Sequence, residues 1–153
     1  CDWADAASRR DDSGACRCDY VDNAGCIRVR NKPMTPLEAA YLSLKDRTGA
    51  SFEEFKAACR DCEVHPIYAY GRIGGAVIVK GPEIHACILP FAQRRWLNKA
   101  SIQIMNDVIA VHGFAQTHVT TDAGRIFVER LGFTQSGDVY KRTTPWAWKH
   151  YSQ

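Results

Sequence analysis

The stretch from Pro82 to Phe133 constrains the fold more than any other part of the chain, because it sets an apolar strand, a basic turn, a helix, a short strand and a second helix in a fixed order. Glu83 to Leu89 reads as the strand, and Pro90 ends its ladder because proline has no N–H to donate. The turn that follows carries Arg94, Arg95 and Lys99, and Ala100 to Val111 continues with apolar residues at Ile102, Met105, Ile109 and Val111, close to helical period. Thr117 to Thr120 is the next strand. It is reached through a helix, which predicts a parallel partner for the Glu83 strand. Three cations at a helix start oppose the helix dipole, a conflict that a bound anion would relieve. The same cations also suit a solvated surface or a partner contact, and Trp96 is bulky enough to fill the space that an anion would need.

Upstream, Thr35 with Glu38 and Ser51 with Glu54 are capping-box patterns that start helices over about Thr35 to Arg47 and Ser51 to Cys62. Strands are expected at Cys26 to Arg30, His65 to Tyr70 and Gly75 to Lys80, with Gly71 and Gly74-Gly75 marking a hairpin and Gly81-Pro82 the next turn. Val139 to Arg142 reads as the last strand. Three segments result: a polar, cysteine-containing arm over 1–25, a domain over 26–142 and an aromatic tail over 143–153. The tail holds Trp146, Trp148 and Tyr151, and the arm holds Trp3 and Tyr20. Aromatics at chain ends either pack on the chain's own sheet or dock on another protein chain.

The 153 residues are 46% hydrophobic, enough for one core and short of any apolar run that would span a membrane. A net charge of +3 is mild, so nucleic acid is not indicated. A chain that begins with Cys1 is read most simply as one whose initiator methionine was removed, with a lipidated amino terminus as the alternative. Seven cysteines without a signal-peptide pattern favour free thiols in a reducing compartment. Cys16-x-Cys18 and Cys59-x-x-Cys62 have the form of zinc half-sites, but Cys59 and Cys62 also share one face at a predicted helix end and serve there as small hydrophobes. No metal site is assigned, including one from His85, His118 and Glu83.

In its order of elements the chain from Cys26 to Arg142 resembles the GNAT N-acetyltransferases, whose second helix closes on a Gly-Phe pair, here Gly132-Phe133. The resemblance implies an α/β fold: a mixed central sheet, antiparallel at first, with a parallel pair of strands that splays, flanked by helices. It implies acetyl-CoA or another acyl-CoA as cofactor, with the pantetheine arm in the gap, facing the main chain of Ile88 and Leu89. The pyrophosphate would lie at the basic turn, on Arg94, Arg95, Asn98 and Lys99. The family fills that turn with Q/R-x-x-G-x-G/A; this chain has Arg94-x-x-Leu97-x-Lys99 or, one residue on, Arg95-x-x-Asn98-x-Ala100, and neither register holds a glycine.

Glu83 stands eleven residues before Arg94, where histone-type members of the family hold their general base, and His85 follows on the same strand face. These two are the catalytic residues the resemblance implies, acting on an amine. The family's asparagine after the second strand and its thiolate-protonating tyrosine are replaced by Thr121 and Val128. The succession from Ile27-Arg28-Val29-Arg30 through Tyr70-Gly71-Arg72 and the glycine-free turn to Arg130-Leu131-Gly132-Phe133 is similar, more narrowly, to short GNAT-like proteins of tailed bacteriophages, some of them internal virion or accessory proteins. This likeness implies the alternative role of a non-catalytic viral protein that binds other chains through its arm and tail, located in the bacterial host cytoplasm or the virion.

Overall fold

The computed structural model describes residues 32–147, and from Met34 onward they belong to one compact unit. Helices α1 (Pro36–Thr48) and α2 (Phe52–Ala58) open with the two capping boxes: Thr35 accepts from the Glu38 N–H and Ser51 from the Glu54 N–H, while each glutamate reaches back to its cap. Then come β1 (Glu63–Ala69), β2 (Arg72–Lys80), β3 (Glu83–Ile88), a 3-10 turn (Pro90–Ala92), α3 (Lys99–His112), β4 (Ala115–Thr117), α4 (Asp122–Arg130), β5 (Thr134–Ser136) and β6 (Val139–Arg142). Among the described residues the strands form a single mixed sheet in the order β1-β2-β3-β4-β6-β5. The expected strand over Cys26 to Arg30, the aromatics Trp3, Tyr20, Trp148 and Tyr151, and four of the cysteines lie outside the described residues.

The β1–β2 hairpin turns on Tyr70-Gly71, both at positive φ (53° and 73°), the geometry of the two-residue turn that matches strand twist. Strand β2 is buried on both faces, which is why its sequence runs apolar rather than alternating. One face, with Val77 and Val79, meets Ile102, Met105 and Ile109 of α3 together with Phe133 and Tyr140. The other, with Ala76 and Ile78, meets Ala40 and Leu44 of α1 and Phe55 of α2. Gly74 permits the close approach of the 3-10 turn: a Cβ there would stand 2.5 Å from the Ala92 Cβ.

Strands β3 and β4 are adjacent and parallel, and they pair at one position only, Glu83 with Gln116, where the Gln116 N–H donates to the Pro82 carbonyl at 2.8 Å. The strands therefore part at the start of β3 rather than at its far end near Leu89. Strand β4 lies upstream of the expected Thr117 to Thr120. Once the strands separate, residues 118–120 have no ladder to join, and Thr121 instead caps α4 by accepting from the Gly124 N–H.

Helix α2 stops at Ala58, short of Cys62, because the chain tightens into turn bonds from Arg60 to Ala57 and from Cys62 to Cys59 before entering β1. Strand β5 was not foreseen. It is joined to β6 by Gly137-Asp138, with Ser136 opposite Val139, and Gly-Asp is a recognised hairpin signal.

Part of the aromatic tail packs on its own chain. The Trp146 N–H donates to Asn106 Oδ1 at 2.7 Å, Asn106 Nδ2 donates to the Trp146 carbonyl at 3.0 Å, and the ring joins the α3 side of the core. Arg142 holds the same segment, donating from Nε to the Thr144 carbonyl at 2.6 Å and from Nη1 to the Leu131 carbonyl; burial depresses its pKa.

Two substitutions test this packing. Gly74→Ala is expected to lower unfolding stability by about 1–3 kcal/mol through overpacking against Ala92, read as a shift in urea midpoint at unchanged m-value. Asn106→Ala removes both bonds to the Trp146 main chain and is expected to cost about 1–3 kcal/mol by the same measurement; no change would mean that the tail adds nothing to the fold.

Candidate functional site

The parting of β3 from β4 creates the site. Leu89 donates its N–H to the Gly74 carbonyl at 2.8 Å, and main-chain bonds to one neighbour alternate along an antiparallel strand. Glu83, His85, Cys87 and Leu89 therefore turn their backbone groups to β2, while Ile84, Ala86 and Ile88 turn theirs toward β4. Beyond the Glu83–Gln116 pairing, β4 does not answer Ala86 or Ile88. The Leu89 carbonyl is also engaged, by the Ala92 N–H at 2.9 Å. Of the two residues expected to face a cofactor, Ile88 does turn its main chain to the gap and Leu89 does not. Ala86 was missed, although strand alternation from the Pro90 stop points to it.

Side chains alternate in the opposite sense. Glu83, His85 and Cys87 line a cavity of about 670 Å³ on the α1–α2 side, a size typical of small-molecule sites. His85 Nε2 lies 2.8 Å from Glu83 Oε1, and His118 Nε2, from the segment after β4, lies 3.6 Å from the same oxygen. Glu83 keeps 29% of its side-chain surface exposed. A carboxylate oxygen accepts, so the close approach suits an Nε2–H of His85 donating to Glu83 Oε1. A carboxylate that fixes the tautomer of a neighbouring imidazole orients a base able to take one proton. The structure brings Glu83 and His85 together as their spacing suggested, and places His118, which also lies next to the parting strands, beside the same carboxylate. Among the described residues, no group of three or more His, Cys, Asp or Glu side chains is placed to hold a metal ion.

Arg47 and Lys80 also border this cavity, and its apolar wall includes Leu44, Phe55, Cys59 and Cys62. The Cys87 thiol is pushed up to about 12, by burial first and by neighbouring Cys59 second, with Arg47 acting in the opposite direction. Burial also raises Cys59.

On the α3 side the gap is narrower. The space there is about 70 Å³, and Ala86, Thr117, Phe127 and Val128 line both it and the larger cavity. Trp96 also lines it, its ring centroid 5.4 Å from that of Phe127. The Trp96 N–H donates to the Ala92 carbonyl at 3.1 Å, and its own carbonyl accepts from the buried Ser101 hydroxyl at 2.9 Å. Asn98 is the N-cap of α3, its Oδ1 accepting from the N–H groups of Ala100 (2.9 Å) and Ser101 (3.1 Å). Asn98 followed by Ser101 before an apolar run is a capping pattern legible in the chain. Arg94, Arg95 and Lys99 are exposed, and the Arg95 guanidinium lies 5.5 Å from the Tyr70 ring centroid on the β1–β2 turn.

No protein-family model matches the chain, and neither a curated protein nor a solved structure matches it significantly.

The thiols offer a direct check on the cavity wall. Thiolate is the reactive form, and at pH 8 a thiol with a pKa of about 12 is ionised in only about one molecule in ten thousand. Cys87 is expected to resist a thiol reagent at pH 8 while Cys62 is labelled, and its rate should rise about tenfold per pH unit below that pKa. Peptide mapping after timed labelling reads both; rapid Cys87 labelling in folded protein would show that the wall opens.

Proposed function

We propose that the chain is a GNAT-like protein that does not transfer acyl groups from CoA and acts as a binding module. Support for the fold relationship comes from the mixed sheet with its one parallel pair, β3 with β4, which parts directly after pairing. The observation that carries the absence of CoA chemistry is Trp96, packed at a tilt against Phe127 in the turn where the family keeps glycine and pinned through both of its main-chain groups. The residues present do not fit an acyl-CoA in the family's manner: the turn holds no glycine, and the Ala100 and Ser101 N–H groups at the start of α3 are met by Asn98.

A binding role agrees with the exposed aromatics at the β1–β2 hairpin. Tyr68 and Tyr70 are 59% and 70% exposed, Arg95 reaches over Tyr70, and the Arg72 guanidinium lies 4.0 Å from the Phe91 ring centroid. Tyrosine and arginine are enriched at the energetic centres of protein interfaces. The partner class is therefore another protein chain, as in the phage accessory proteins that the chain resembles. Among the described residues no helix is long and apolar enough to cross a membrane.

A second reading, N-acyl transfer to an amine, is favoured by one observation: Glu83 between two imidazoles in the wall of the large cavity. One experiment separates the two. Calorimetric titration of acetyl-CoA into the full chain is expected to give no measurable binding, and the Arg94→Ala, Arg95→Ala double variant is expected to behave the same. Binding in the micromolar range that the double variant loses, with acetyl transfer to a primary amine abolished in Glu83→Gln, would establish the second reading instead.

A further inference from the structure

We propose that Cys59 and Cys62 form a reversible redox site that closes to an intramolecular disulfide by exchange with a low-molecular-weight disulfide. The backbone already holds them in register. The Cys62 N–H donates to the Cys59 carbonyl at 3.1 Å, closing a four-residue turn. The first and last Cα atoms of such a turn lie within about 7 Å, and disulfides bridge Cα separations of about 4.4–6.8 Å. The side chains are neighbours as well: Cys62 is among the groups that raise the Cys59 pKa, and Cys62 Sγ lies 3.9 Å from the Ala58 carbonyl, one residue before Cys59. Both are free, both are half-buried, and both border the 670 Å³ cavity, so a small disulfide can reach them.

Cys87 is the competing partner, buried beside Cys59 in the same wall. It lies within β3, paired with Ala76 of β2, where the ladder holds its backbone in place. Its scarce thiolate makes it the slowest of the three thiols to exchange.

The step balances without a metal. One thiol of the pair loses its proton and attacks the small disulfide, forming a mixed disulfide and expelling one thiolate. The second thiol, deprotonated in turn, displaces the other half. The pair gives up two protons and two electrons, the small disulfide takes them up, and two small thiols leave. Burial holds the proton on Cys59, whereas the Lys80 charge favours the thiolate, so exchange speeds up with pH. A loop this short gains little chain entropy on closure, which keeps the bond reducible. Closure replaces two S–H donors with an apolar bridge in the wall that faces Glu83.

The test uses the full chain, reduced, desalted and incubated with oxidised glutathione at pH 8, then acid-quenched and digested with trypsin without reductant. Cleavage after Lys56, Arg60 and Arg72 places Cys59 and Cys62 on separate peptides, 57–60 and 61–72. The expected product is those two peptides joined, at least about tenfold above any pair that includes Cys87 or a cysteine of residues 1–31, and separated by dithiothreitol. Cys87→Ala should give the same cross-link, and Cys62→Ser should abolish it, leaving Cys59 as a thiol or a glutathione adduct. Recovery of Cys59 and Cys62 as two separate adducts or as unreacted thiols, or joined to other cysteines, would overturn the proposal.

Discussion

The single pairing of Glu83 with Gln116 is the hinge on which the architecture depends. On one side of it stands an antiparallel hairpin system whose central strand is buried on both faces; on the other stand β4, β6 and β5, tied to the tail through Arg142. A regular parallel pair would have carried the ladder on past Gln116. Here Thr117 ends it, the chain turns to cap α4 with Thr121, and the edge of β3 from Ala86 onward is left facing a gap. Unpaired backbone inside a fold is costly unless something meets it, and here it is the main chain of Ala86 and Ile88 that faces the gap.

What fills that opening differs between the two faces. Toward α1 and α2 the gap widens into a cavity whose polar side chains, Glu83, His85, His118, Arg47 and Lys80, are set against an apolar wall. Toward α3 it narrows to a space lined by Trp96 and Phe127, and Asn98 meets the Ala100 and Ser101 N–H groups at the helix start. A glycine-rich turn binds anions because its backbone can approach them; a tryptophan in the same turn brings volume and its own packing partner. The cations there are not idle, since Arg95 is placed over Tyr70 on the neighbouring hairpin. Charge at a helix start is thus reconciled with the dipole by facing an aromatic ring and solvent.

Most of the fold was legible in the chain. Both capping boxes, the α3 helix, the antiparallel hairpins and the parallel crossover follow from local chemistry: a hydroxyl three residues before a glutamate, apolar spacing near helical period, a proline that ends a strand. The misplacements share a cause. Cys59 and Cys62 continue a helical spacing that ends early because the chain must turn into β1. Residues 118–120 look like a strand but lose their partner to the splay, and β5 is too short and too exposed to show a period.

Residue identity and spacing by themselves determined that Glu83 and His85 share a strand face, that Thr35 and Ser51 start helices, and that Trp96 stands in a turn otherwise suited to an anion. These are properties of one segment at a time, set by side-chain volume, strand period and cap chemistry. Only the tertiary structure decided that His118 meets Glu83, that Trp96 finds Phe127, that the Leu89 main chain is engaged while those of Ala86 and Ile88 face the gap, and that Trp146 docks on Asn106. Each of these joins residues on different elements, and their approach depends on where two strands stop pairing, a distance that no local pattern encodes.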